Sequence, residues 1–178
     1  MPDDLVTTLL ERLRTDTREV HERVLTLAEG LTEEQLRARP GHYAPSIAFH
    51  VWHLARWAEH DAELFGGIPQ SWRTEGMAAA WGFAPAALGE DETGTEMGDD
   101  ASEVLVFPDK AALLGYARDA LNTLDEVIER LVTEAMTGND APLSAVRSLS
   151  ADVTHINRHL GMIEALIGVL GASGTATR

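Results

Sequence analysis

The chain has 178 residues, 44% hydrophobic and 24% charged, with no cysteine and a formal charge of −15 from 29 acidic against 14 basic side chains. That mix belongs to a folded domain and not a disordered tail, and the acidic field repels phosphate backbones and anionic lipid surfaces, so neither nucleic acid nor membrane is an expected partner. Lack of thiols excludes disulfides, thiolate metal ligands and a cysteine nucleophile.

The N-terminus, MPDDLVTTLLERLR, has neither the basic start nor the unbroken apolar run of a signal peptide. Stretches such as MIEALIGVLGA fall short of the roughly 18 apolar residues of a membrane span. A cytoplasmic location is expected. Leu5, Leu9, Leu10, Leu13, Val20, Val24, Leu27 and Leu31 recur at three- and four-residue steps and predict one apolar stripe on a first helix running to about Gly30. Thr32 with Gln35 three residues on forms a capping-box pattern for a short helix that Pro40 stops. A second long helix, rich in aromatic residues and histidine, is predicted to begin near Pro45 or Ser46 and to end at Gly66 and Gly67.

From Pro69 to Pro108 no long periodic run is present, and acids accumulate between Glu75 and Glu103 without a basic residue. This stretch reads as a long solvated connection with a short helix around Met77 to Trp81. A third helix follows Pro108 and Asp109, with Leu113, Leu114, Tyr116, Ala117, Leu121, Leu124, Val127, Ile128 and Leu131 as its apolar stripe. TGNDAP breaks it, and a fourth helix is expected from about Pro142 to Gly171. Four amphipathic helices without a strand pattern predict an all-α four-helix bundle spanning residues 1–172 as a single domain, with 173–178 as a flexible tail. The connection of about forty residues between the second and third helices is long enough for a crossover.

Residues four apart on a helix share one face, so His155 and His159 can reach one ion from the fourth helix. A third nitrogen from the second helix, His50 or His53, would give three imidazoles and leave a position open for water or substrate, as in reactive sites. Periodicity does not choose between His50 and His53. His60 lies about 10 Å beyond His53 along the axis and cannot share its ion. His42 and His21 are expected at the surface. Asp152 and Glu59 or Asp61 are candidates to orient the ligand rings, Arg56 and Arg158 either to bind a substrate carboxylate or to pair with surface acids, and Trp52, Trp57, Trp72 and Trp81 to pack or to wall a pocket.

PSIAFHVWHLARWAEHD and HINRHLGMIEALIGVLG, with the connector that ends in EEQLRARP, resemble the DinB-like superfamily of metal-binding bundles. The resemblance implies a bundle of up-down-down-up order with the crossover between the second and third helices. It also implies a divalent metal, zinc or nickel before iron, held by His53, His155 and His159, and a homodimer. Relatives include mycothiol-dependent maleylpyruvate isomerases and the bundle domain of iron-dependent ergothioneine-synthesis enzymes. In the latter the bundle is joined to a second catalytic domain, so that activity is not expected of 178 residues. Many members carry glutamine after the glycine that follows the histidine pair, where this chain has Met162.

Three neutral imidazoles leave an ion its full charge, which acidifies a bound water or thiol. With no cysteine in the chain, the thiol of a transferase or isomerase would come from a low-molecular-weight cofactor such as mycothiol. The expected function is thus a metal-dependent enzyme acting on a small molecule with such a thiol. The alternatives are a metal-dependent hydrolase or a non-enzymatic metal- or small-molecule-binding stress protein.

Overall fold

A computed structural model describes residues 2–41, 44–98, 102–137 and 143–172, so His42, Pro142 and the tail 173–178 lie outside the described residues. It is all-helical: α1 Pro2–Glu29, α2 Glu33–Arg37, α3 Ile47–Gly66, α4 Ser71–Thr74, α5 Met77–Ala80, a 3-10 turn at Pro85–Ala87, α6 Lys110–Met136 and α7 Leu143–Val169. Among the described residues there is no strand, only an isolated bridge between Glu90 and Thr95.

The helix starts follow from local capping. Thr32 Oγ1 accepts from Gln35 N at 3.1 Å while the Gln35 side chain accepts from Thr32 N at 2.8 Å. Ser46 Oγ takes the Phe49 N–H at 3.2 Å and Asp109 Oδ1 the Ala112 N–H at 2.8 Å, each satisfying a donor that the first turn leaves without an intrahelical partner. Gly67, at φ 64°, ends α3 in a left-handed conformation that costs a glycine little.

The largest packing faces join α3 to α6 and α1 to both α6 and α7, and α3 also meets α7. Cross-helix pairs fix their registers: Arg14 with Glu129 at 3.0 Å, His21 with Asp125 at 2.9 Å and Arg23 with Glu164 at 2.6 Å. Trp52 and Trp72 are fully buried with ring centroids 5.7 Å apart, and Phe83, Phe107 and Tyr116 join them in one aromatic cluster. At roughly 1.5–3 kcal/mol per fully buried large apolar side chain, this cluster pins the Pro69–Pro108 connection to α3 and α6.

Two expectations for α1 fail. Leu5 and Leu9 are 62% and 41% exposed. The buried stripe runs through Leu10, Leu13, Thr17, Val20, Val24 and Leu27, and at about 100° per residue Leu9 and then Leu5 rotate off it. His21 is not a surface residue, being 2% exposed with Nδ1 against the Asp125 carboxylate. The charged face of α1 is covered there by α6, whose matching acid makes burial of the imidazole tolerable.

Candidate metal centre

The contact between α3 and α7 brings three histidines together. His53 Nε2 lies 3.0 Å from His155 Nε2, and one nitrogen from each of His53, His155 and His159 falls within 4.8 Å of the other two. Ring centroids are 5.0, 4.5 and 4.6 Å apart around the triangle. A tetrahedral ion with bonds of about 2.0–2.1 Å holds its nitrogens roughly 3.3 Å apart, a spacing that lies between the 3.0 Å of the His53–His155 pair and the 4.8 Å limit of the set, so the donor set fits one with small shifts of the rings.

His53 Nδ1 is 2.6 Å from the carbonyl oxygen of Thr93. A carbonyl only accepts, so Nδ1 carries the proton and the Nε2 lone pair faces the cluster. Burial first, and then repulsion from neighbouring rings, pushes His53 down to about 4, although the bond to Thr93 opposes the shift. Burial likewise lowers His50 to about 4, and His159 falls further, with its ring neighbours and Arg158 adding to desolvation. The His50, His53 and His159 rings are therefore neutral at pH 7, and of these His53 and His159 belong to the converging set. The cluster faces a groove of about 620 Å³ whose other walls include Phe49, Trp57, Leu64, Asp61 and Arg158.

A profile of the DinB superfamily matches residues 16–163, a span that includes all three histidines. The chain belongs to the DinB superfamily. No curated protein matches it.

In this DinB-superfamily fold the connection before α6 is part of the site and not a solvated loop. Thr93 is 1% exposed. Gly94, at φ 87°, lets the backbone approach so closely that a Cβ there would meet Trp52 Cζ3 at 2.8 Å, Phe49 Cζ at 3.0 Å and His53 Nδ1 at 3.2 Å. Asp91 and Glu92 also have positive φ, 49° and 57°, which costs about 1–2 kcal/mol per residue. Arg56 offsets that strain. It is fully buried and donates to Glu92 O at 3.0 Å, to Asp91 O at 3.3 Å and to Gln70 Oε1 at 2.6 Å, while pairing with Glu59. Trp72 Nε1 adds a bond to Glu92 Oε2 at 2.8 Å.

Both readings of Arg56 from sequence are thereby corrected. It neither reaches the groove nor pairs at the surface, but clamps the loop that presents Thr93 to His53. Glu59 does not orient a ligand ring either, because Arg56, Ser71 and Tyr116 engage its carboxylate. Burial, the largest cause, raises the Tyr116 hydroxyl well above 10. Asp152, the remaining candidate on α7, brings Oδ1 to 3.8 Å from His155 Nδ1, outside hydrogen-bond reach. Asp61 is buried in the groove wall 3.2 Å from His60 Nδ1, and burial, with the Asp152 charge second, pushes its carboxyl up to about 6.

The tryptophans divide. Trp57 lines the groove and stacks edge-on with His60, Trp52 and Trp72 belong to the core, and Trp81 lines a second cavity of about 520 Å³ beside Tyr116. Arg158 sits exposed at the groove. His50, 4% exposed, stands behind the cluster with Nδ1 2.9 Å from His159 Nδ1. The Thr93 carbonyl was not legible in the sequence, since every residue carries one and only the tertiary approach selects it.

Proposed function

We propose that His53, His155 and His159 hold one divalent transition metal, zinc or nickel before iron, and that the protein is a metal-dependent enzyme of the thiol-cofactor transferase or isomerase type. The convergence of one nitrogen from each of three histidines at a groove large enough for a small molecule carries this reading. When bound, such an ion supplies a Lewis acid that lowers the pKa of a bound water or thiol. Imidazole donors suit zinc, nickel and iron alike, whereas calcium and magnesium prefer oxygen.

The chain's own groups have distinct tasks. Thr93 fixes the His53 ring, and Trp57 and Phe49 offer flat apolar walls to a ligand body. Arg158 offers a guanidinium to a ligand carboxylate. Asp61, with its carboxyl near 6, can hold or release a proton close to neutral pH beside the groove.

We also read the four long helices as up-down-down-up. Arg14–Glu129 and His21–Asp125 support opposed directions for α1 and α6, Arg23–Glu164 supports a shared direction for α1 and α7, and the Arg130 bond to Gly66 O supports a shared direction for α3 and α6. A homodimer, as the superfamily resemblance implies, is part of the same reading, and light scattering on the eluted protein would check it. We place this activity in the cytoplasm; no helix among the described residues is long and apolar enough to cross a membrane.

Metal content by inductively coupled plasma mass spectrometry tests the site. About one zinc or nickel per wild-type chain, lost in His53→Ala and in His155→Ala, is the expected result. Wild type that stays metal-free after reconstitution overturns the reading. Turnover of an electrophile that requires added thiol would then separate a transferase from a hydrolase.

A further inference from the structure

The three clustered rings do not share one kind of outer partner. His53 turns Nδ1 to the Thr93 carbonyl at 2.6 Å, His155 turns Nδ1 toward the Asp152 carboxylate at 3.8 Å, and His159 turns Nδ1 to a fourth histidine, His50, at 2.9 Å. His53 and His155 meet through Nε2. His50 is outside the set of rings whose nitrogens converge, although it is on the same helix as His53 and 4% exposed.

A neutral imidazole has one N–H and one lone pair in its ring plane, so in the His50–His159 contact one Nδ1 donates and the other accepts. If His50 donated, His159 would carry its only proton on Nε2 and have no lone pair there for an ion. If His159 donates, its Nε2 is free and His50 keeps its own proton on Nε2. Only the second arrangement matches the tautomer that Thr93 imposes on His53.

We infer that His50 is a positioning residue: its Nδ1 accepts the Nδ1–H of His159 and so sets His159 to ligate through Nε2, as His53 does. The inference rests on the metal-site reading above. It settles the choice between His50 and His53 by giving each a different task, ligand for His53 and orienting acceptor for His50. An imidazole in that place is a weaker acceptor than a carboxylate, so it orients the ring without adding negative charge beside the ion.

The test compares His50→Leu, which removes the acceptor, with His50→Asn, whose Oδ1 falls near the position of Nδ1. Zinc affinity is measured for wild type and both variants by competition with a chromophoric chelator, after thermal melts show that each is folded. We expect His50→Leu to bind about 10- to 100-fold more weakly and His50→Asn to recover to within about threefold of wild type. In zinc-loaded wild type, ¹⁵N spectra of the rings should show a proton on His159 Nδ1 and none on His50 Nδ1. Unchanged affinity in His50→Leu, equal loss in both variants, or zinc bonded directly to His50 overturns the inference while leaving the metal site standing. Wild type that binds no zinc overturns both.

Discussion

Gly94→Ala is the substitution on which the geometry of the site speaks most directly. The added methyl would sit 2.8 Å from Trp52 Cζ3, 3.0 Å from Phe49 Cζ and 3.2 Å from His53 Nδ1, at a φ of 87° that side-chain-bearing residues rarely adopt. Backbone strain contributes about 1–2 kcal/mol and overpacking against a fully buried tryptophan about 1–3 kcal/mol, so a destabilisation of roughly 2–5 kcal/mol is expected. For a chain of this length, about 2–4 °C of melting temperature accompanies each kcal/mol, which predicts a drop of roughly 4–20 °C by scanning calorimetry. Relief of the clash would draw residues 93–95 away from α3 and lengthen the bond from His53 Nδ1 to the Thr93 carbonyl, so zinc affinity should fall by about tenfold or more. Gly115→Ala is the control. Gly115 lies within α6 and a Cβ there meets nothing within 4 Å, so about 0.5–1 kcal/mol of stabilisation is expected. A Gly94→Ala protein that melts with wild type and binds zinc equally would refute the claim that close approach of this loop builds the site.

Arg56→Met leaves the Glu59 carboxylate buried without its cation and releases the carbonyls of Asp91 and Glu92, so chemical denaturation should show a loss of about 3–5 kcal/mol. A loss under about 1 kcal/mol would mean that the clamp contributes little. In the metal-free protein, His50 and His53 have folded values near 4 against 6.5 for a free ring, so between those limits the unfolded chain binds protons that the folded chain refuses. Stability is therefore full above about pH 6.5 and falls as pH drops toward 4, by on the order of 3 kcal/mol per ring, and a melting temperature flat over that window in chelator-treated protein would contradict it. Asp61 works in the opposite direction. Its folded value near 6 against 3.8 means that the ionised form destabilises the fold at higher pH, so Asp61→Asn should be about 1–3 kcal/mol more stable than wild type at pH 8 and lose stability more steeply in acid. Equal melting temperatures at pH 8 would show that the carboxyl is solvated there.

Features that depend on neighbours along the chain could be read from the residues alone. Thr32 with Gln35, Ser46 and Asp109 mark helix starts because a cap is closed within three residues, and the stripes of α6 and α7 follow from the 3.6-residue period. His155 and His159 share a face for the same reason. What lies across the fold was decided only by tertiary packing. The charge on Arg56 and the polarity of His21 argued for the surface, yet partners distant in sequence, Glu92 and Gln70 for one and Asp125 for the other, make their burial favourable. Leu5 and Leu9 argued for the core and are exposed, since the buried stripe of α1 is set by which of its residues face α6 and α7. The partner of His53 is a backbone carbonyl forty residues away, a group that no pattern of side chains distinguishes until Gly94 and Arg56 bring that loop against α3.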